Sequence, residues 1–308
     1  MTAVLIVGGN GFLGSQLVDQ LAADGHAVTV FDRFSTARPR YEALGIHAVT
    51  GDLGDVAKLT GAMQGIDEVY HFVSPTTPAT AATDPVADIR EGLPSSVALL
   101  QAAVDSGVGR VVYASSGGTV YGDQPVRAFT ELDVPAPVSP YAVGKLAVEG
   151  YLRYFRRTHG LDTVALRISN PYGHRQEGAR GQGFIAIALH AVAEGRPVTV
   201  FGDGSMVRDY VHVDDVAATI AAMAGRPHEH EIYNVGSGHG VSVTELLDVV
   251  ARTTGQRVQL EFAETPPSFV QSSVLDISRV TQEFGVVPTV QLQDGIADVW
   301  RRWGGSRP

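Results

Sequence analysis

The chain has 308 residues, 44% of them hydrophobic and 18% charged, enough to bury a sizeable core. Acidic residues outnumber basic ones 33 to 23, and the formal net charge of -10 argues against nonspecific binding to nucleic acid or anionic membranes. There is no cysteine, which excludes disulfides and thiolate metal sites, and no apolar run long enough to cross a bilayer.

No basic-then-apolar leader precedes the first apolar run, so a cytoplasmic globular protein is expected. The ten histidines lack H-x-x-x-H spacing. His228 and His230, around Glu229, fall in a Pro-containing loop and read as solvated, and no metal is expected.

Ala3–Val7 is a short β-branched run that reads as a buried parallel strand. It feeds Gly8-Gly-Asn-Gly11-Phe12-Leu13-Gly14, a G-x-x-G-x-x-G turn leading into a helix over Phe12–Ala23 that should stop at Asp24-Gly25. Gly8 can take a positive φ, Gly11 has no Cβ to block a pyrophosphate, and Gly14 lets the helix lie close on the sheet. The amides of the first helical turn then face the anion. A second strand over 28–32 ends in Asp32, about 20 residues past the glycines, where a ribose diol is held. Asp32 repels a 2′-phosphate, so NAD is favoured over NADP, although Arg33 beside it could soften that preference.

An Arg- and Pro-containing loop over 33–40 precedes a third strand, His47–Thr50, and then Gly51-Asp52-Leu53, where Asp52 could reach the adenine edge. A fourth strand over 68–73 brings Phe72 and Val73 to the cofactor. It runs into Ser74-Pro75-Thr76-Thr77-Pro78, whose prolines and hydroxyls predict a loop over the cofactor phosphates rather than helix. Residues 97–104 read as helix and 108–114 as a fifth strand, followed by Ser115-Ser116-Gly117-Gly118-Thr119-Val120-Tyr121-Gly122. Ser139-Pro140-Tyr141 opens a long helix, and a sixth strand over 163–168 ends at Asn170-Pro171-Tyr172-Gly173.

This alternation predicts an α/β fold with a doubly wound parallel sheet over residues 1–170. Beyond it, a flexible stretch over 178–183, a helix over 184–193, a strand over Val198–Phe201 and a helix over Val243–Thr254 suggest a smaller C-terminal α/β substrate domain, 171–308. Segments around 205–235 are expected to return to the first domain.

Tyr141-Ala-Val-Gly-Lys145 puts a phenol and an ammonium four residues apart on one helix face. A lysine cation and the positive nicotinamide ring both favour the phenolate, so Tyr141 could take a proton from an alcohol near working pH. On a plain amphipathic helix the same spacing would be structural.

The glycine turn, Asp32, Gly51-Asp52-Leu53, Ser115-Ser116, Val120-Tyr121-Gly122, Tyr141-x-x-x-Lys145, Asn170-Pro-Tyr-Gly173 and Arg208-Asp-Tyr-Val-His-Val-Asp-Asp215 occur in one order along the chain. In this the sequence resembles the extended short-chain dehydrogenase/reductase family with its dinucleotide-binding Rossmann sheet, and within it the nucleotide-sugar epimerases similar to UDP-glucose 4-epimerase. The resemblance implies Tyr141 as catalytic base, Lys145 as the residue holding the nicotinamide ribose, and Ser115, Ser116 and Thr119 around the reacting sugar. It also implies a sugar-diphosphate site at Asn170 and Arg208, with Ser74 and Gly117 lining the substrate, and a homodimer paired through the 97–104 and 146–155 helices, whose apolar faces could equally be core. Arginine suits the diphosphate because its planar fork grips two oxygens; an ion pair of Arg208 with Asp209 or Asp214 is the plainer reading.

Two departures matter. Gly117 stands where the family commonly has a proton-relaying Ser or Thr, so Ser116, Thr119, a water or Tyr141 itself would replace it. Pro266-Pro-Ser-Phe269 stands where a second arginine usually precedes a segment like Ser273-Val-Leu-Asp276, so Arg175 or Arg180 could be borrowed. Gly117-Gly118-Thr119 lacks the acid and base of the family's dehydratases and decarboxylases. The expected activity is NAD-dependent C4 epimerisation of a UDP-hexose or UDP-hexuronic acid through a transient 4-keto sugar. A ketoreductase or decarboxylase of the same family, or an NAD-sensing binding protein, are the alternatives.

Overall fold

The computed structural model describes residues 1–35, 39–123, 127–176 and 183–304. In chain order the first half runs β1 (Ala3–Val7), α1 (Phe12–Ala23), β2 (Ala27–Asp32), β3 (His47–Thr50), α2 (Val56–Ala62), β4 (Glu68–His71), α3 (Pro78–Thr83), α4 (Pro85–Ala87), a π-helical turn Asp88–Gly92, α5 (Leu93–Asp105), β5 (Arg110–Ser116) and α6 (Pro140–His159). The second half runs β6 (Asp162–Ile168), β7 (Asn170–Tyr172), α7 (Phe184–Glu194), β8 (Val198–Phe201), β9 (Val207–His212), α8 (Val213–Ala221), β10 (Ile232–Val235), β11 (Gly240–Ser242), α9 (Val243–Thr254), β12 (Leu260–Ala263), β13 (Ser272–Ser273), α10 (Ser278–Phe284) and α11 (Leu292–Arg302).

Seven parallel strands form the large sheet in the order β10-β6-β5-β4-β1-β2-β3. Its period-two alternation supplies two cores. Val4 and Ile6 of β1 face Leu17, Val18 and Leu21 of α1 together with Val216 and Ile220 of α8. Leu5 and Val7 face Leu59 of α2, Leu99 and Leu100 of α5, and Val148, Leu152 and Phe155 of α6. Because chain order reverses between β1 and β4, a crevice opens past their C-terminal ends, the place where such sheets hold ligands.

The sheet gains a strand from late in the chain, β10, whose Ile232 to Val235 pair with Ala165 to Ile168 of β6. A smaller sheet, β11-β9-β13 with β7 on β9, sits with α7, α9 and α11 over a third cluster that includes Tyr172, Leu189, Leu246 and Trp300. Residues 72–77 form the loop expected around Pro75, and helix begins only at the last proline of that stretch. Pro78 opens α3 as its first residue, a position that needs no amide hydrogen, and Thr77 and Thr80 cap it reciprocally.

Candidate functional site

The glycine turn closes tightly on itself. Gly8 has φ +89° and accepts from the Gly11 amide at 3.0 Å, while its own amide donates to the Phe31 carbonyl at 2.9 Å. A Cβ on Gly14 would lie 2.2 Å from the Gly8 carbonyl oxygen, and one on Gly8 would press on the Val73 side chain and the Phe72 backbone. Gly14 thus lets the helix close on the turn itself. Gly11 forms the N-cap of α1 without a side-chain cap, so the first-turn amides at Phe12 and Leu13 remain for an anion. The Phe12 ring borders Gly173, and Leu13 and Phe72 pack on the core beneath.

Asp32 ends β2 and steadies this turn, accepting from the Asn10 amide at 3.0 Å and the Phe34 amide at 3.2 Å. Arg33 and Asp52 form an exposed pair 3.9 Å apart, with Asp52 also accepting from the Gly54 amide and Leu53 packed on the core. The residues present fit a dinucleotide: an uncapped helix start behind a glycine turn for the pyrophosphate, and a carboxylate at the end of the next strand for a ribose diol.

On α6, Ser139 caps the helix by accepting from the Ala142 amide, and Pro140 occupies its first turn, which fixes where Tyr141 stands. Lys145 is buried and donates to the Ala114 carbonyl at 2.9 Å. Its ammonium lies 5.5 Å from the Tyr141 ring centre and 4.9 Å from that of Tyr113. His71, at the end of β4, lies tilted against the Tyr113 ring with centres 5.3 Å apart and bonds through Nε2 to Ser96 at 2.9 Å. Burial and then the Lys145 charge hold its imidazole down to about 3, so it stays neutral.

Several sequence-based expectations change. Ser115 does not face the sugar side: its hydroxyl donates to Glu149 Oε1 at 2.6 Å, because the strand alternation turns it beneath α6. The Ser74 hydroxyl donates to the Thr76 carbonyl at 2.9 Å and shapes its own loop. Ser116 accepts from Thr119 Oγ1 at 2.9 Å, which joins those two hydroxyls. A Cβ on Gly117 would meet Leu275 at 2.5 Å and the Arg167 carbonyl oxygen at 2.7 Å. No relay hydroxyl fits there, and the open side toward Asn170 belongs instead to Gly118, whose Cβ would sit 3.4 Å from Asn170 Oδ1.

Asn170 donates to the Asp209 carbonyl at 3.0 Å. Arg208 pairs with neither Asp209 nor Asp214. Its guanidinium donates to the carbonyls of Val207 and Val270 at 2.8 Å each and reaches that of Gln271 at 3.4 Å. Burial draws it below its ordinary value.

Arg175 is not available to a substrate, since its guanidinium binds Asp19 at 2.6 Å and approaches Glu42 at 3.5 Å. Asp19 also accepts from the Glu42 and Ala43 amides at 2.7 Å each, tying two loops to α1. Arg180 and the rest of 178–182 lie outside the described residues. His228 is not solvated: its Nε2 sits 2.8 Å from Asp162 Oδ2 and its Nδ1 2.8 Å from the His230 carbonyl. Among the described residues no cluster could hold a metal ion, and no helix is long and apolar enough to cross a membrane.

Sequence reasoning missed His71, Glu149 and Arg167. Glu149 carries a legible signal, because it continues the Tyr141, Lys145 series by four residues on the same helix face.

A doubly wound sheet with an anion-ready glycine turn and a tyrosine-lysine pair beside it defines a dinucleotide-dependent enzyme of the extended short-chain dehydrogenase/reductase type. More narrowly, the chain belongs to the NAD dependent epimerase/dehydratase family, whose sequence model matches residues 4–236. It is 36% identical over 305 residues to UDP-glucose 4-epimerase of Mycolicibacterium smegmatis, covering 95% of this chain and 96% of that one. Among solved structures it is similar to the UDP-glucose 4-epimerase of Thermus thermophilus in complex with NAD, with a TM-score of 0.91, 35% identity and coverage of 98% and 99%. It also resembles MoeE5 in complex with UDP-glucuronic acid and NAD, with a TM-score of 0.89, 30% identity and 98% of both chains covered.

Proposed function

We propose that this chain is an NAD-dependent epimerase that inverts C4 of a nucleotide sugar, a UDP-hexose or UDP-hexuronic acid. The observation that carries the reading is the Tyr141 ring 5.5 Å from the buried Lys145 ammonium, which is anchored on the Ala114 carbonyl of β5 in the same sheet whose β1 feeds the glycine turn. The relatives named above support the substrate class, and MoeE5 supports room for a carboxylated sugar.

Gly8, Gly11, Gly14, Phe12, Leu13 and Asp32 would hold NAD, with Phe72 and Val73 against the turn. When bound, NAD supplies a reversible hydride acceptor. Tyr141 takes the proton of the 4-hydroxyl and returns it after the 4-keto sugar has turned over, and the Lys145 cation stabilises the phenolate between these steps. Ser116, its Oγ fixed by Thr119, serves the relay that Gly117 lacks. Arg208 grips the diphosphate, and Asn170 borders the sugar beside Gly118, where weak contacts leave the ring free to rotate.

The exposed Val143, Tyr151 and Tyr154 on α6 form the face through which a homodimer would pair, while Leu152 and Phe155 belong to the core. Light scattering that returns the mass of one chain would reject the dimer.

Purified protein incubated with UDP-hexoses and UDP-hexuronic acids should yield the C4 epimer by NMR without net NADH or CO2. Tyr141→Phe should lower kcat by about 10²–10⁴-fold with the fold kept. Steady NADH consumption or CO2 release by the wild type would move the assignment to a ketoreductase or a decarboxylase.

A further inference from the structure

Behind Tyr141 and Lys145, α6 carries a third chemical group. Glu149 lies one helical turn beyond Lys145, about 6 Å along the axis, and is 5% exposed. Its carboxylate accepts from Ser115 Oγ at 2.6 Å and from Arg167 through Nε at 3.1 Å and Nη2 at 2.7 Å. Arg167 is equally deep, with its guanidinium stacked 4.9 Å from the Tyr121 ring centre. Tyr121 in turn donates to Asn234 Oδ1 of β10 at 2.7 Å. One carboxylate therefore joins α6 to the ends of β5 and β6, and through Tyr121 to β10.

We infer that Glu149 is a positioning residue: its shared carboxylate locks the rotation and height of α6 on the sheet, and so sets where the Tyr141 phenol and Lys145 ammonium stand. The inference rests on the epimerase reading for its kinetic consequence but not for its structural one.

Several observations single out this pair. A buried ion pair is a poor way to gain stability when apolar side chains could fill the same volume, whereas a fixed two-bond fork specifies orientation. The Ser115 hydroxyl is spent on it, although it stands next to the site. The pair is also charge-balanced beneath α6. Facing it are Ser115 on β5 and Tyr121, with Glu131 beyond, from the segment after β5, while Lys145, one turn back on α6, faces Tyr113 on β5 and the neutral His71 on β4, so Arg167 and Glu149 cancel locally. Losing the carboxylate alone would leave an uncompensated buried cation under α6, about two helical turns from Tyr141, and favour its phenolate through the low-dielectric interior; losing both would not.

The test compares wild type, Glu149→Gln, and the double variant Glu149→Gln/Arg167→Met. Each is paired with its Tyr141→Phe counterpart, so that the phenolate absorbance of Tyr141 is read by difference. Burial pushes up Tyr70, Tyr121, Tyr172 and Tyr210, which keeps them out of the neutral window. In Glu149→Gln, kcat should fall about 10-fold with KM within twofold, and the Tyr141 midpoint should move down by about one pH unit. The double variant buries no lone charge and is expected to fold. Its midpoint should return to the wild-type value while kcat stays about 10-fold low, because α6 has lost its anchor.

Wild-type kcat in either variant, or a loss confined to Tm, overturns the inference. A midpoint that does not move in a folded Glu149→Gln overturns it as well. Were the wild type to show no epimerisation at all, the function proposed above would fall, yet the Tyr141 titration would still decide the role of Glu149.

Discussion

Two largely buried arginines, Arg110 and Arg208, are held by partners of different kinds. At the N-terminal edge of the large sheet, Arg110 donates to Glu68 at 2.9 Å and to Asp162 at 2.7 Å, and Asp162 also takes Arg156 and His228. Charge is matched by charge there. On β9 Arg208 is held by main-chain carbonyls, and among the described residues no carboxylate lies within ion-pair distance. Carbonyl dipoles fix a guanidinium without neutralising it, so its full charge remains for an incoming anion. Partner type, rather than burial, separates the arginine paired within the fold from the one proposed to bind.

The contrast can be broken by removing each cation. Arg110→Met leaves two carboxylates short of their guanidinium at a largely dry edge, and urea unfolding should show a loss of about 3 kcal/mol with unchanged turnover per folded molecule. Arg208→Met should do the reverse. KM for the nucleotide sugar should rise about 100-fold, with unfolding free energy within about 1 kcal/mol of wild type. Equal losses of stability in the two variants would erase the distinction.

A smaller effect sharpens it by pH. Burial pushes the Asp162 carboxyl up, but hydrogen bonds from His228 and Arg110, and their charges, outweigh it and hold it well below the ordinary 3.8. Its contribution is therefore present at neutral pH and is lost as pH falls below about 4. Thermal unfolding of wild type should weaken more steeply in that range than that of Asp162→Asn, and parallel curves would show that this cluster adds little.

The sheet was legible because buried parallel strands and amphipathic helices write different periods into the chain, and β1, α1, β3 and α9 fall where those periods place them. The glycine turn and the Tyr141-Lys145 pair were legible because their chemistry is local, set by spacing along one turn or one helix. What escaped depends on partners far away in sequence. His228 meets Asp162 across 66 residues and Arg175 meets Asp19 across 156, so neither loop's composition announces a buried pair. Ser115 and Ser116 look alike in a row, and only the packing of α6 decides which one turns inward. Gly117 read as a lost hydroxyl; the nearness of Leu275 and the Arg167 carbonyl shows it as a place where no side chain fits.

Asp19 fastens the loop after β2 and the loop after β7 to a single post on α1. The two loops share one carboxylate, so neither can drift alone during evolution. Among descendants of this sequence, residues 19 and 175 should be replaced together or kept together.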